Sequence, residues 1–269
     1  MTSRWRYIEE DAPTASFGLA ADEYMARGLS ASPYSHILRL YVYKKPCALV
    51  GRYQELDSEL HLSFCKAIGI EINRRPTGGG AIIMGEEQLG IAIAIPEFSP
   101  LSARTIFEVY SQGIIAALKH LGITAEFGPK NDILVKDRKI AGLALLSSFG
   151  ATEGLAFCAF QDSRGQGDLF HASLISDLDI ELMPRVLKKP LKVPGGITTV
   201  SKELGRKVST HELRELVKEG FKEALGVEII PEPFTPEELV EIKAIEEEKY
   251  QSLDWVYGQR CPYAEPRVC

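Results

Sequence analysis

The sequence predicts an α+β fold, a mixed β-sheet core flanked by α-helices, as one domain over residues 1–269. Three observations carry that expectation. Short apolar runs with the two-residue period of strands recur through the first two-thirds of the chain, as in Leu89-Gly90-Ile91-Ala92-Ile93-Ala94-Ile95. Longer stretches with helical spacing separate them, as at Phe107, Tyr110, Ile114 and Leu118. From about residue 205 the chain turns charged and helical, which gathers helices at its C-terminal end. At 269 residues the chain is long enough for one large core.

The elements follow in order. A strand over 4–8 leads into an amphipathic helix over 16–27. Strands over 37–43 and 47–51 flank the Lys44-Lys45-Pro46 turn. A helix over 58–68 is closed by Gly69, and 70–73 is a short strand entering Arg74-Arg75-Pro76-Thr77-Gly78-Gly79-Gly80-Ala81. Residues 81–83 and 89–95 then read as a hairpin turning at Met84-Gly85-Glu86-Glu87-Gln88. The glycine and alanines of the second run leave one face small enough for something to lie close against it. A long helix over 103–121 precedes strands over 133–135, 139–145, 155–160 and 169–175. Thr210 is the expected N-cap of the first C-terminal helix, and Pro231 and Pro233 break two helices apart.

Composition narrows the function. With 45% hydrophobic and 25% charged residues the chain is an ordinary globular protein, and its net charge of −6 argues against non-specific nucleic-acid binding. No apolar run approaches the roughly 18 residues of a membrane span, and the acidic Glu9-Glu10-Asp11 near the start is unlike a signal peptide. Five cysteines without close spacing read as reduced thiols of a cytoplasmic protein.

The glycine run strips Cβ atoms from a segment flanked by arginines, so backbone N–H groups and forked donors can approach an anion together. Standing alone, such a run is most often a flexible turn, and it fits neither the dinucleotide nor the P-loop pattern. Downstream, Lys139 on a short polar turn can reach the same anion, or it is a solvated lysine beside Lys136 and Arg138. His171 is a proton carrier or a packing histidine. Cys158, within Phe157-Cys158-Ala159-Phe160, is a nucleophile or a small buried hydrophobe.

In order along the chain, Arg74-Arg75-Pro76-Thr77-Gly78-Gly79-Gly80-Ala81-Ile82-Ile83, Asn131-Asp132-Ile133, Lys139-Ile140-Ala141-Gly142, His171-Ala172-Ser173-Leu174 and Lys249-Tyr250 with Trp255 resemble the lipoate-protein ligase A family. Phe17 to Glu23 and Gly51-Arg52-Tyr53-Gln54 fit it too, so the resemblance covers nearly the whole chain. It implies the class II biotin/lipoate ligase-like catalytic fold and an ATP-dependent lipoate-protein ligase. Lipoate would be activated to lipoyl-AMP and passed to a lysine of an acceptor lipoyl domain, such as a 2-oxoacid dehydrogenase E2 or the glycine-cleavage H protein. Lys139 would be the catalytic cation. Arg75, Thr77, Gly78, Gly79, Gly80, Ala81, Asn131, Asp132, Gly142, Ala144 and His171 would bind substrate or adenylate, with Mg²⁺ on Asp132.

The family usually carries a small accessory domain beyond the Trp255 landmark, and this chain looks like the catalytic domain alone, which leaves room for a separate accessory subunit. The cysteine-type octanoyltransferases place their nucleophile before the lysine segment, where this chain has Gly128-Pro129-Lys130-Asn131-Asp132. That favours the adenylating branch. An ATP-independent octanoyl or lipoyl transferase acting through Cys158, and a non-catalytic lipoate-binding protein, are the alternatives. A biotin ligase fits the arginine-glycine signature less well. Met84-Gly85 stands where the family has His-Asp, and the segment 147–167 is longer than expected.

Overall fold

The computed structural model describes residues 2–11, 13–96, 101–147, 167–189 and 193–258. Along the chain run β1 (Arg4–Asp11), α1 (Ala15–Gly28), β2 (His36–Val42), β3 (Cys47–Val50), α2 (Leu56–Glu59), α3 (Leu62–Ala67) and β4 (Glu71–Arg74). Next come β5 (Ile82–Met84), β6 (Gln88–Ile95), α4 (Ala103–His120), β7 (Glu126–Phe127), β8 (Asp132–Val135), β9 (Arg138–Leu146) and β10 (Asp168–Ile175). The rest is α5 (Met183–Val186), α6 (Val200–Leu204), α7 (Thr210–Leu225), β11 (Glu228–Pro231), α8 (Pro236–Ile245), a π-helical turn and α9 (Leu253–Tyr257).

Eight strands form one mixed sheet in the order β11-β1-β2-β6-β10-β9-β8-β7, with β1 parallel to both its neighbours and the other pairings antiparallel. Three more form a small sheet, β4-β3-β5. On one face of the large sheet Ile91, Ile93, Phe170 and Leu174 pack beneath α4 and α7. Those helices meet closely because a Cβ on Gly220 would lie 2.2 Å from the Gly113 carbonyl oxygen and one on Gly113 would strike the Phe221 ring. On the other face Ala92 and Ala94 pack with α1, whose Ala20 and Ala21 are fully buried. The small face of β6 therefore receives α1 and the Tyr41 ring, which lies where a Gly90 Cβ would be.

Four local expectations need correction. Residues 81–83 and 89–95 turn at Gly85–Gln88 but are no hairpin: β5 pairs with β3 in the small sheet and β6 sits between β2 and β10. The expected helix over 58–68 divides into α2 and α3 because Leu60 goes extended, is fully buried and bridges Leu187. The N-cap of α7 is Ser209, whose Oγ accepts from Glu212 N, so Thr210 is the first helical residue. The proline-bounded break near 231 holds a strand, since β11 pairs with β1 ahead of the capping box Thr235/Glu238 of α8. The expected strand over 155–160, with Cys158, lies outside the described residues.

Candidate active site

The glycine loop leaves β4 with both arginines turned inward. Arg75 donates from Nη1 to Leu49 O at 3.1 Å and from Nη2 to Gly78 O and Gly80 O at 2.8 and 2.7 Å. It thus holds the loop from inside. Burial pulls its pKa down to about 10, which still leaves a cation at neutral pH. Gly79 has φ +97°, and the close approach of its carbonyl requires Gly51, where a Cβ would lie 2.1 Å from Gly79 O. Arg74 faces the other way and donates to the carbonyls of Gln54, Trp255 and Val256, binding the Gly51–Gln54 turn to α9.

Lys139 comes from the β8–β9 hairpin. The register slips between Ile133 and Leu134, leaving Ile140 unopposed, and both Ile140 and Ala141 enter the core. Such a bulge breaks the two-residue alternation, so Lys139 and Gly142 fall on one face. The ammonium lies directly over Gly142: a Cβ there would be 2.7 Å from Lys139 Nζ. Asp132, paired with Gly142 in the ladder, meets Nζ at 2.5 Å. Lys139 N donates to Gly196 O at 3.0 Å and Lys139 O accepts from Thr198 N at 2.9 Å, so the segment around Ile197 holds both of its backbone polar groups. The Asn131 side chain donates to Leu143 O and Asn131 O accepts from Leu143 N, closing the hairpin beside it.

His171 stands in a buried polar chain. Its Nδ1 is 3.2 Å from Thr77 Oγ1, and its Nε2 comes 3.1 Å from Asp22 Oδ2 as a close contact rather than an aligned hydrogen bond. Asp22 Oδ1 accepts from Arg39 Nη1 at 2.6 Å, and Arg39 also pairs with Glu10 at 2.5 Å. Burial opposes charge on Arg39, but Asp22 and Glu10 outweigh it and raise its pKa above the usual arginine value. Thr77 is fully buried and outside the cavity wall, so the Thr-His-Asp trio orients His171 and offers no open nucleophile.

These groups surround a cavity of about 1000 Å³ of atom-free space, solvent at its mouth included. Lys139, Asn131, Arg75 and His171 are among its polar members, with Gln88, Ser173 and Tyr41, and Leu19, Leu49, Ile82, Met84, Leu178 and Leu187 make much of the rest. One ladder row crosses its floor: Tyr41, Gly90, Ser173, Gly142 and Asp132 are successive partners from β2 to β8. A cation at one edge of an apolar slot suits an acyl carboxyl group and can stabilise negative charge developing on it.

Of the expected site residues, Arg75, Gly79, Gly80, Ala81, Asn131, Lys139, Gly142, Ala144 and His171 line the cavity; Thr77, Gly78 and Asp132 stand just behind it. Asp22 and Arg39 were missed by sequence reasoning; the signal was an Asp-Glu pair inside the otherwise apolar run Leu19-Ala20-Ala21-Asp22-Glu23. For Mg²⁺ the fit is thin. Asp132 is engaged with Lys139, and among the described residues no three His, Cys, Asp or Glu side chains cluster as a metal site. A magnesium ion here would ride on nucleotide phosphates with at most that carboxylate. No described helix is long and apolar enough to cross a membrane.

Residues 14–222 match the family model of the lipoyl protein ligase A/B catalytic domain. Among curated proteins the chain is 26% identical to the octanoyltransferase LipM of Geobacillus kaustophilus, across 93% of this chain and 97% of that one. It is 25% identical to LipM of Staphylococcus aureus, across 96% and 99%. Among solved structures it superposes on a lipoate-protein ligase A bound with ATP at TM-score 0.79, with 24% identity and 96% and 99% of the two chains covered. The bipartite lipoate protein ligase of Thermoplasma acidophilum, solved in work on its lipoylation system and E2 lipoyl domain, gives TM-score 0.79 with 23% identity over both whole chains. The expected catalytic fold is therefore the observed one.

Proposed function

The chain belongs to the lipoyl protein ligase A/B catalytic-domain family, and on that footing we propose that it is an enzyme attaching lipoyl or octanoyl groups to a lysine of an acceptor lipoyl domain, with ATP activating the acid. The observation that carries this reading is the Lys139 ammonium, laid over Gly142 in a largely apolar cavity whose wall also includes Gly79 and Gly80 of the glycine loop. The segment Gly128-Pro129-Lys130-Asn131-Asp132, which holds no cysteine where the cysteine-type octanoyltransferases place theirs, supports the ATP-dependent form. Of the described cysteines, Cys47 and Cys65 are buried and neither lines the cavity, and burial pushes both thiols up, which disfavours the thiolate.

In this reading the acyl chain lies along the apolar wall with its carboxylate toward Lys139. A carboxylate oxygen attacks the α-phosphorus of ATP and the bond to pyrophosphate breaks. The neutral acceptor amine then attacks the acyl carbon and the bond to AMP breaks. Lys139 donates hydrogen bonds to the oxygens that gain charge in each step. The Gly79 and Gly80 backbone gives the phosphate close approach, and Asn131 fixes the hairpin that carries Lys139. No step here runs through Mg²⁺. E2 or H-protein domains are the acceptor class, and a separate accessory subunit is compatible with this site.

A second reading is ATP-free octanoyl transfer between carrier domains, favoured by the naming of the nearly full-length relatives as octanoyltransferases. One experiment separates the two. The protein is incubated with lipoate or octanoate and an acceptor lipoyl domain, with and without ATP and Mg²⁺, and the acceptor's intact mass is measured. An acyl mass increment that requires ATP is expected. An increment obtained only from an octanoyl-carrier donor without ATP would replace the ligase reading with the transferase.

A further inference from the structure

The cavity is not the only apolar space on this side of the molecule. A surface groove lined by Pro46, Leu178 and Leu182 shares Ile83, Met84, Gln88 and Leu178 with the cavity wall, so the two are separated by a single layer of side chains. We propose that this layer is a gate at Met84, and that saturated acyl chains longer than eight carbons pass it, leaving their ends in the groove. The inference rests on the acyl-binding reading above and extends it to the class of substrate.

Within the layer, Gln88 is fixed: its Nε2 donates to Asp177 O at 2.9 Å, while Ser176 N and Asp177 N donate to Glu87 O at 3.0 and 3.1 Å. Met84 is apolar, buried and unbranched, and its three side-chain torsions let a thioether swing aside where a branched or aromatic residue would not. Gly85 beyond it adds no side chain to the groove floor; a Cβ there would already touch Pro46 Cα at 3.5 Å.

Charge sets the direction of threading. Lys139 and Arg75 are cations of the cavity and line none of the groove, whereas the exposed carboxylates of Glu86, Glu87 and Asp179 rim the groove. A carboxylate head is drawn inward and repelled from the rim, so only the alkyl end emerges. Four extra carbons lengthen a chain by roughly 5 Å, about one strand spacing, enough to cross one layer of side chains. Each methylene that finds apolar wall in place of water adds up to about fourfold in affinity.

The test is calorimetric titration of octanoate, decanoate, dodecanoate and tetradecanoate, each below its micelle threshold, into the wild type, Met84→Trp and Leu182→Glu. Leu182 lines the groove but not the cavity. Wild type should bind the longer acids at least as tightly as octanoate. Leu182→Glu should leave octanoate within about twofold and weaken dodecanoate about tenfold or more, and Met84→Trp should penalise the longer acids most. A tenfold fall beyond eight carbons in the wild type overturns the gate while leaving the acyl reading intact. So does long-chain binding that ignores both substitutions. Binding of no acid at all overturns the acyl reading, and the gate with it.

Discussion

The two faces of the eight-stranded sheet are built from residues of different size, and the site follows from the difference. Under α4 and α7, β6 and β10 present Ile91, Ile93, Ile95, Phe170 and Leu174. On the opposite face the same strands present Gly90, Ala92, Ala94, His171 and Ser173, and β9 adds Gly142. Bulk on the first face fills space and excludes water, which is what stabilises a fold. Missing bulk on the second leaves room for α1, the Tyr41 ring and the cavity. Glycine serves both faces differently. Gly113 and Gly220 let two helices touch, whereas Gly142 lets a lysine lie flat.

Removing the cation is the harshest way to break this contrast. Lys139→Ala should lower ATP-dependent acyl transfer by about 10³-fold or more, the order seen when a donor to a developing oxyanion is lost. The fold should lose no more than about 1–2 kcal/mol, since Asp132 can recover water. Transfer within tenfold of wild type, read by acceptor mass, would remove Lys139 from the chemistry.

A matched pair of glycine substitutions sharpens the comparison. In Gly142→Ala the new methyl meets the movable end of Lys139, 2.7 Å from Nζ. Activity should fall roughly 10–100-fold because the ammonium is displaced by about an ångström, with stability nearly unchanged. In Gly220→Ala the methyl meets backbone, 2.2 Å from Gly113 O and 2.7 Å from Ala117 N, and neither helix can yield locally. That should cost about 1–3 kcal/mol in denaturant unfolding, with the folded fraction fully active. The idea that one face stores stability and the other function fails if both variants lose the same quantity.

Much of this contrast was legible in the sequence. The alternation in Leu89 to Ile95 gave both the strand and its small face, whereas Lys139 and Gly142 stood out through the family resemblance, since a regular strand would put them on opposite faces and only the β-bulge brings them together. What the chain could not show by periodicity was partnership between sheets. Residues 81–83 and 89–95 read as one hairpin because local pattern sees the turn between them and not the β3 edge that captures β5. The roles of the arginines were likewise hidden. Forked donors beside bare backbone suggested an anion, yet Arg75 spends its donors on Leu49 O of β3 and two carbonyls of its own loop, and Arg74 on the turn beside α9. Asp22 and Arg39 needed the fold, since their pairing joins a helix to a strand.

The filled face also holds a titratable group that packing keeps neutral, and this gives the mildest test. His36 stacks on Trp5 with ring centroids 4.5 Å apart, and its Nε2 is 2.8 Å from Tyr110 OH. Burial pushes its pKa down to about 4 from 6.5. In the unfolded chain the imidazole takes up a proton as pH falls through 6.5, while the native ring stays neutral until about pH 4. The unfolded state therefore binds more protons across that window, and unfolding becomes easier as pH drops. The contribution is fully present above pH 6.5 and should lose up to about 3 kcal/mol by pH 4. His36→Phe keeps the aromatic stack but lacks the titrating ring. It should cost about 1 kcal/mol at neutral pH through the orphaned Tyr110 hydroxyl and show a shallower decline toward pH 4. Denaturant midpoints of both proteins at pH 7 and pH 4.5 decide it, and parallel declines would place the acid sensitivity elsewhere.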